Sequence, residues 1–219
     1  MIYKTKGIVL ESFKYRDNQS IVHVLTEEFG KVSYLVYAPQ SKRASIRQSN
    51  MQVLSILDME VEHLPHRDLQ RIKEARLSCI NHGILSDPIK ISISFFIAEI
   101  TDKCIYSSEK DTALFGFIKS CINELDNSSK NAMFALKFLI DLSRYLGFYP
   151  ADKEENEFIN IGLDKSQQAL LIRLLNKEEQ FSHAERRQLM DSLLKYYKHH
   201  IPTMGNLNTI FVLESLFDI

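Results

Sequence analysis

The residues best suited to chemistry are three cations in a segment that contains no acidic residue. Lys42, Arg43 and Arg47 lie within residues 38–50, directly after a run in which apolar and polar residues alternate. Ammonium and guanidinium groups neutralise phosphates, and binding through them weakens as the salt concentration rises. The segment is therefore a candidate phosphate-binding loop.

A second basic set and two tyrosines add to this candidate surface. Arg71 and Lys73 are two residues apart, so on a strand they share one face. Tyr34 and Tyr37 fall on opposite faces of one predicted strand, so at most one of them offers a ring on which a base can stack. Core packing for the tyrosines and solvation for the cations are the ordinary alternatives.

Sequence signatures of an active site are missing. The chain has no Gly-x-Gly-x-x-Gly, no Gly-x-x-x-x-Gly-Lys-Ser/Thr and no Gly-x-Ser-x-Gly. Two histidine pairs, at positions 63 and 66 and at positions 199 and 200, have no thiol or carboxylate partners at a metal-site spacing. We expect a protein that is not an enzyme and that uses no cofactor and no metal.

Composition predicts a globular protein of a reducing compartment. The 219 residues are 45% hydrophobic and 25% charged, and the apolar runs are far shorter than the roughly 20 residues that span a bilayer. The N-terminus has no signal-peptide pattern. Cys79, Cys104 and Cys121 are scattered, which favours free thiols. We expect a cytoplasmic, nucleoid-associated protein.

Charge is distributed unevenly along the chain. The net charge is −1, but residues 1–80 contain 12 Lys and Arg against 9 Asp and Glu, whereas residues 81–219 contain 15 against 19. A mildly basic segment followed by a mildly acidic one is compatible with a nucleic-acid face and a protein-binding body.

The first eighty residues have the pattern of short strands. A glycine at position 30, between two of the runs, predicts a hairpin turn with positive φ. Five strands of this length in about eighty residues predict a small β-barrel of the oligonucleotide-binding type. The predicted strand segments are Gly7–Leu10, Ile21–Leu25, Val32–Tyr37, Met51–Val61 and Leu69–Leu77.

From Pro88 onward the apolar residues recur at the spacing of a helix. Pro88 suits the first turn of a helix, and Ser129 is the predicted N-cap of a helix that ends at Gly147. The other predicted helices cover 111–125, 164–177, 183–200 and 206–217. The predicted fold class is α+β and multidomain, with a five-stranded barrel domain at 1–80 and an all-α domain at 81–219.

The predicted helices also carry cations that suit a peptide partner. Apolar helices with basic residues at a groove rim match a short acidic tail that ends in a hydrophobic residue and a free carboxylate. The candidates are Lys137, Arg144, Arg186 and Arg187. Each has the alternative of lying on an ordinary solvated helix face, and sequence alone does not determine which of them converge.

The order of residues in the first segment resembles the bacterial recombination mediator family RecO. The matching pieces are Lys-x-x-Gly-Ile-Val-Leu (4–10), Tyr-x-Asp (15–17), Ile-Val-x-x-Leu-Thr-x-Glu-x-Gly-Lys (21–31) and the basic loop. The resemblance returns in Tyr-Leu-Gly-Phe-Tyr-Pro (145–150), where the family often opens into a cysteine-ligated zinc element. This chain has no cysteine after Cys121, so it resembles the zinc-free branch and no metal is implied.

The resemblance implies a set of activities and partners that the residues alone do not. Proteins similar to this chain bind single- and double-stranded DNA and anneal complementary strands. They bind the C-terminal tail of the single-stranded-DNA-binding protein and, with RecR, help load the RecA recombinase. Matching to the family's basic motif implies DNA contacts at Lys42, Arg43 and Arg47, with Lys4, Lys6 and Lys31 as further contacts.

Two other functions remain open at this level. A protein-interaction adaptor, whose barrel never touches nucleic acid, is compatible with the near-neutral net charge. A nuclease that uses Asp17, Asp58 or Glu60 is the enzymatic alternative, although these acids show no metal-ligand clustering. Salt-dependent DNA binding separates the mediator from the adaptor, and metal-dependent DNA cleavage is the signature of the nuclease.

Overall fold

The chain folds into two compact units, Met1–Asn127 and Ser128–Ile219. The computed structural model describes residues 1–37, 46, 48–106, 108–150, 158 and 161–217. The change from strands to helices at residue 80 lies inside the first unit, and the division into domains 1–80 and 81–219 stays a prediction. Over the described residues, no helix is both long enough and apolar enough to cross a bilayer.

The first unit begins with a closed five-stranded barrel, as predicted. Its strands lie in the order β1-β2-β3-β5-β4. Neighbouring strands are antiparallel except for β3 and β5, which run parallel. The strands are β1 (Ile2–Arg16), β2 (Gln19–Thr26), β3 (Gly30–Tyr37), β4 (Ile56–Glu62) and β5 (Leu69–Leu77).

Buried side chains at alternate positions of a strand fill the barrel interior. In β3, the side chains of Val32, Tyr34 and Val36 are buried and those between them face outward. The turn before β3 is closed by Thr26, whose Oγ1 accepts a hydrogen bond from the Phe29 amide and donates one to the Gly30 carbonyl. Gly30 has a φ of 60°, so the predicted positive φ at this turn is confirmed.

The predicted strand Met51–Val61 is too long. Strand β4 begins at Ile56, because the chain bends at Leu54, which has a φ of 58°. Two apolar side chains of residues 51–55 are nevertheless buried, with Met51 4% and Leu54 1% exposed. The Leu54 amide donates to the Val9 carbonyl and the Val9 amide donates to the Ser55 carbonyl. The apolar residues of 51–61 therefore indicate burial correctly, but they do not form one continuous strand.

Three α-helices follow the barrel in the described part of the first unit. They are α1 (His82–Ser86), α2 (Pro88–Cys104) and α3 (Thr112–Asn127). Pro88 occupies the first turn of α2, as predicted, and the Asp87 side chain caps it by accepting from the Ile89 amide at 2.8 Å. The end of α3 ties the other two helices down, because Asp126 accepts from the Ile84 amide at 2.8 Å and from the Lys90 ammonium at 2.7 Å.

The second unit is helical over its described residues. Its helices are α4 (Phe134–Tyr145), α5 (Lys165–Leu175), α6 (His183–His200) and α7 (Ile210–Phe217). Capping boxes start two of them, with Asp164 and Gln167 at α5 and Ser182 and Glu185 at α6. Gly147, with a φ of 82°, follows α4 as predicted.

The predicted N-cap at Ser129 is wrong. Helix α4 begins at Phe134, and no side chain caps it at Met133. The later start of the helix has a local cause at the preceding serine. Ser128 Oγ accepts a hydrogen bond from the Lys130 amide and donates one to the Lys130 carbonyl. Such a local turn competes with helix formation for the same backbone groups.

Candidate nucleic-acid interface

One outward face of the barrel is built by cross-strand rows on β1, β2, β3 and β5. Phe13 pairs with Ile21, Ile21 pairs with Leu35, and Leu35 pairs with Arg71. Partners in a ladder point to the same side of a sheet. The adjacent row contains Val22, Tyr34 and Gln70, which are all buried, so the Phe13 row faces outward.

A second outward row runs parallel to the first. Arg16 pairs with Gln19, which in turn pairs with Tyr37. The Tyr37 side chain is 50% exposed and that of Phe13 is 40% exposed, whereas Tyr34 is fully buried. Burial without a hydrogen-bond partner among the described residues raises the pKa of the Tyr34 hydroxyl. Of the two tyrosines considered from sequence, only Tyr37 is therefore accessible to a base.

The tip of this face is a hairpin arm, defined here as residues 11–20 and called the β1–β2 arm. Strand β1 pairs with β4 only as far as Ile8, so beyond Leu10 its described strand neighbour is β2 alone. Every residue from Glu11 to Arg16 is exposed. The ladder is irregular between Val9 and Glu11 and again between Lys14 and Arg16, as at β-bulges.

Aromatic and cationic side chains alternate along this arm. Tyr15 is 48% exposed, and the Arg16 guanidinium carbon lies 5.2 Å from the centre of its ring. Lys14 Nζ is 4.0 Å from the Asp17 carboxylate, and both side chains are largely solvated. Sequence analysis missed the arm as a site. The available signal was the run Ser-Phe-Lys-Tyr-Arg (12–16), in which rings and cations alternate directly after an apolar segment.

The cations predicted from sequence fall into three groups in the structure. Lys42, Arg43 and Arg47 lie outside the described residues, so their role stays a prediction. Arg71 lies on the outer face, exposed, in the same row as Phe13 and Leu35. The remaining four, Lys4, Lys6, Lys31 and Lys73, each have a carboxylate neighbour.

Lys4 and Lys6 lie on a mixed-charge groove along β1, β4 and β5. Lys4 Nζ is 3.4 Å from Glu60 and Lys6 Nζ is 2.6 Å from Asp58. The hydrogen bond from Lys6 lowers the pKa of the Asp58 carboxyl below its usual range. Three cations and four carboxylates line this groove, so it has little net attraction for phosphate. The charged lining residues are Lys4, Lys6, Arg76, Glu27, Asp58, Glu60 and Glu74.

Lys31 belongs to an ionic cluster that ties the barrel to α2. Its ammonium donates to the Asp102 carbonyl and lies 3.4 Å from the Asp102 carboxylate. His23 Nδ1 is 3.0 Å from the same carboxylate and 3.6 Å from that of Glu11. The ligand atoms of Glu11, His23 and Asp102 are close enough to share a cation. The Lys31 ammonium already balances Asp102, so we interpret the cluster as structural.

Replacing Asp102 by asparagine is expected to lower the free energy of unfolding by about 2 kcal/mol near neutral pH. Burial raises the pKa of this carboxyl, but the hydrogen bond with His23 and the charge of Lys31 outweigh burial, so the pKa is lowered from 3.8. The ionised carboxylate therefore stabilises the fold fully above pH 3.8, and this contribution is lost as the pH falls through the folded-state pKa. Urea unfolding of both proteins should show a gap at neutral pH that closes in acid, and a constant gap would contradict the assignment.

The second unit has a cavity that contains two of the four predicted tail-binding cations. Its floor is apolar, with Ile140 on α4 and Leu174 on α5. The Arg144 guanidinium lies over the Tyr149 ring at 3.4 Å, and Lys137 Nζ is 2.6 Å from Glu179. Arg144 Nε also lies 3.5 Å from the Asp141 carboxylate. The lining residues are Lys137, Ile140, Asp141, Arg144, Tyr149, Leu174, Leu175, Lys177, Glu178 and Glu179.

Arg186 and Arg187 are not among the residues that line this cavity. Both lie in the first turns of α6, and the Arg186 guanidinium donates to the Phe181 carbonyl at 2.7 Å. The structure therefore brings together Lys137 and Arg144 and places the other pair elsewhere on the unit.

This architecture defines a class of protein, namely a five-stranded barrel of the oligonucleotide-binding type followed by a helical region. Comparison with known families is more specific. Residues 1–80 match the family model described as "Recombination protein O N terminal", and residues 85–154 match "Recombination protein O C terminal". The chain belongs to the RecO family. The family description names a recombination protein, in agreement with the prediction that the chain is not an enzyme.

Curated relatives align over their whole length. The chain is 35% identical over 241 residues to "DNA repair protein RecO" of Azobacteroides pseudotrichonymphae genomovar. CFP2, with 100% of both chains covered. It is 33% identical over 247 residues to the protein of the same name from Porphyromonas gingivalis, and 31% identical over 242 residues to that from Bacteroides fragilis. These alignments also cover 100% of each chain.

Proposed function

We propose that this protein is a non-enzymatic mediator of DNA repair and homologous recombination, which binds DNA on its barrel and anneals complementary strands. The main support is the outward face of β1–β2–β3, where exposed rings and cations share two adjacent rows on a barrel of the oligonucleotide-binding type. Membership of the RecO family and relatives named as DNA repair proteins agree with this function. The expected location is the cytoplasm, at the nucleoid.

The proposed mechanism is electrostatic. Two complementary strands repel each other through their phosphates, and cations placed between them lower that repulsion. On the described surface, Arg16 lies at the end of one outward row, and Arg71 lies in the other between Leu35 and Glu62. The predicted loop with Lys42, Arg43 and Arg47 follows Tyr37, the last residue of β3, directly in sequence.

Fluorescence anisotropy and strand annealing test this function together. A labelled single-stranded oligonucleotide is titrated at several salt concentrations, and complementary strands are mixed with and without the protein. We expect binding that weakens steeply with salt and annealing that is faster with the protein than without it. An absence of binding at low salt would refute the mediator and favour the adaptor. The carboxylates beside Lys4, Lys6, Lys31 and Lys73 are the observation that supports the adaptor.

The proposed protein partners are RecR, the tail of the single-stranded-DNA-binding protein and, indirectly, RecA. A mediator must reach DNA that is already coated, so a contact with the coating protein would bring the barrel to its substrate. The cavity of the second unit suits such a tail, because an apolar floor lies beside the cations of Lys137 and Arg144. Arg186 and Arg187 are a second proposed contact, on α6.

Replacing Arg144 by alanine is expected to weaken binding of a labelled acidic peptide with a hydrophobic C-terminal residue about tenfold. A guanidinium can hold the terminal carboxylate by two hydrogen bonds, and stacking on Tyr149 fixes its plane. Lys195→Ala is the control, because it removes one positive charge from an exposed position of α6 that does not line this cavity. Equal losses in the two variants would contradict the assignment of the peptide to this cavity.

A further inference from the structure

We infer that the β1–β2 arm together with Tyr37 is a platform on which unpaired bases stack, so that this face distinguishes single-stranded from double-stranded DNA. The inference rests on the proposed function, because it names the form of DNA that the barrel recognises. Phe13, Tyr15 and Tyr37 supply the rings, and Arg16 and Arg71, which lie in the two outward rows, supply phosphate contacts beside them.

Exposure of the three rings is the first observation. Phe13, Tyr15 and Tyr37 are 40%, 48% and 50% exposed. Tyr34, three residues before Tyr37, is buried completely. A scattered exposed ring needs no explanation, but three rings on one hairpin and its neighbouring strand form a patch that suits a ligand.

Two of the three rings are held by regular backbone, whereas Tyr15 lies at the irregularity between Lys14 and Arg16. Phe13 is paired with Ile21 and Tyr37 with Gln19, so both side chains project from a hydrogen-bonded ladder. The two outward rows are separated by about 7 Å, because two residues of a strand rise by that amount. A Phe13–His23 edge contact, with ring centres 5.6 Å apart, further fixes the Phe13 ring. Rigid rings lose little entropy when a base stacks on them.

Charge on the arm itself is balanced, and a cation from β5 adds to it. Residues 11–20 contain Lys14 and Arg16 against Glu11 and Asp17, and Arg71 is a further exposed cation in the Phe13 row. Aromatic side chains interleaved with cations along a backbone-tracking groove are the pattern of proteins that bind single strands without reading their sequence. The surface with Lys4 and Lys6, by contrast, has no excess of cations and carries no comparable set of rings.

Strand annealing follows from this preference. Bases of a single strand have free faces that can stack on the rings, whereas the bases of a duplex are already stacked on each other. Pairing of two bound strands therefore removes the bases from the arm and leaves only the phosphate contacts. The duplex product would then be held less tightly than the two separate strands, which favours its release.

The test replaces the three rings together and compares three DNA probes. Leucine at positions 13, 15 and 37 (Phe13→Leu, Tyr15→Leu, Tyr37→Leu) keeps the strand-forming, apolar character of the arm and removes the rings. We expect affinity for a single-stranded oligonucleotide to fall by about tenfold to a hundredfold, since stacking contributes on the order of 1–3 kcal/mol per base. Affinity for a duplex of the same length, and for an abasic strand with the same phosphates, should be unchanged.

Matched variants separate stacking from other causes. Tyr15→Phe with Tyr37→Phe keeps all rings and should bind like the wild type. Phe211→Ala removes a ring that is 75% exposed on α7, and it should have no effect. Thermal unfolding of each variant confirms that the barrel is intact.

Three results would overturn the inference, and each has a distinct meaning. If the leucine variant binds the single strand as tightly as the wild type, stacking on the arm is wrong while the mediator function stands, and the patch becomes a candidate protein contact. If it loses affinity equally for the single strand, the duplex and the abasic strand, the arm acts through the backbone alone. If the wild-type protein binds no DNA at all, the proposed function fails together with the inference.

Discussion

Alanine at Lys42, Arg43 and Arg47 together is expected to weaken single-stranded DNA binding on the order of a hundredfold at about 0.1 M salt. Each phosphate contact with a single strand contributes about 0.7 to the slope of log affinity against log salt, so three lost contacts reduce the slope by about 2. The curves of variant and wild type should converge as the salt concentration approaches about 1 M. Fluorescence anisotropy over a series of salt concentrations measures both the affinity and the slope.

The matched control removes three cations that have acidic neighbours. Lys4, Lys6 and Lys73 lie within 3.5 Å of Glu60, Asp58 and Glu62, respectively, and alanine at all three changes the net charge by the same amount. We expect a much smaller change in slope, because these carboxylates repel a phosphate that approaches the lysines. Equal changes in the two triple variants would mean that overall charge, and not the loop, sets the affinity. No change in the loop variant would refute the loop as a DNA contact.

The strands of the barrel were predictable from the pattern of apolar residues along the sequence. Leu69–Leu77 was assigned as the fifth strand and matches β5 at both ends, although its composition suits a helix equally well. The turn at Gly30 and the start of α2 at Pro88 were also predictable, because each depends on a residue with a restricted or unusual backbone. These features are local, and a single sequence contains the information that determines them.

The charge environment of the barrel was not predictable, because it depends on register. Lys6 pairs with Asp58, 52 positions away, and Lys31 meets Asp102 on a helix of the same unit. No count of charges in a sequence window reveals such pairs. The composition of the outer face also depends on register, because Phe13 and Arg71 share one row only through the intervening strands β2 and β3. Sequence analysis could therefore identify candidate cations but not which of them keep a free charge.

The Gly83→Ala substitution is expected to destabilise the first unit by about 3 kcal/mol, in contrast to the usual effect of this change in a helix. A Cβ atom on Gly83 would overlap with the Asp126 carbonyl oxygen and lie 2.9 Å from its carbonyl carbon. The overlap involves backbone, so no side-chain rotation relieves it. Asp126 also accepts from the Ile84 amide and the Lys90 ammonium, so a shift of α3 disturbs both contacts. Thermal unfolding should show a decrease in Tm of about 6–12 °C.

Gly116→Ala is expected to have the opposite effect on the stability of the same unit. Gly116 lies inside α3, and nothing is within 4 Å of a Cβ atom built on it. Alanine there should raise stability by about 0.5–1 kcal/mol, because glycine loses more backbone entropy when a helix forms. The contrast between two helical glycines tests the close approach of α1 to α3 directly. If Gly83→Ala stabilises the protein like Gly116→Ala, the two helices are farther apart than the Gly83–Asp126 contact requires, and the anchoring of α1 by Asp126 is wrong.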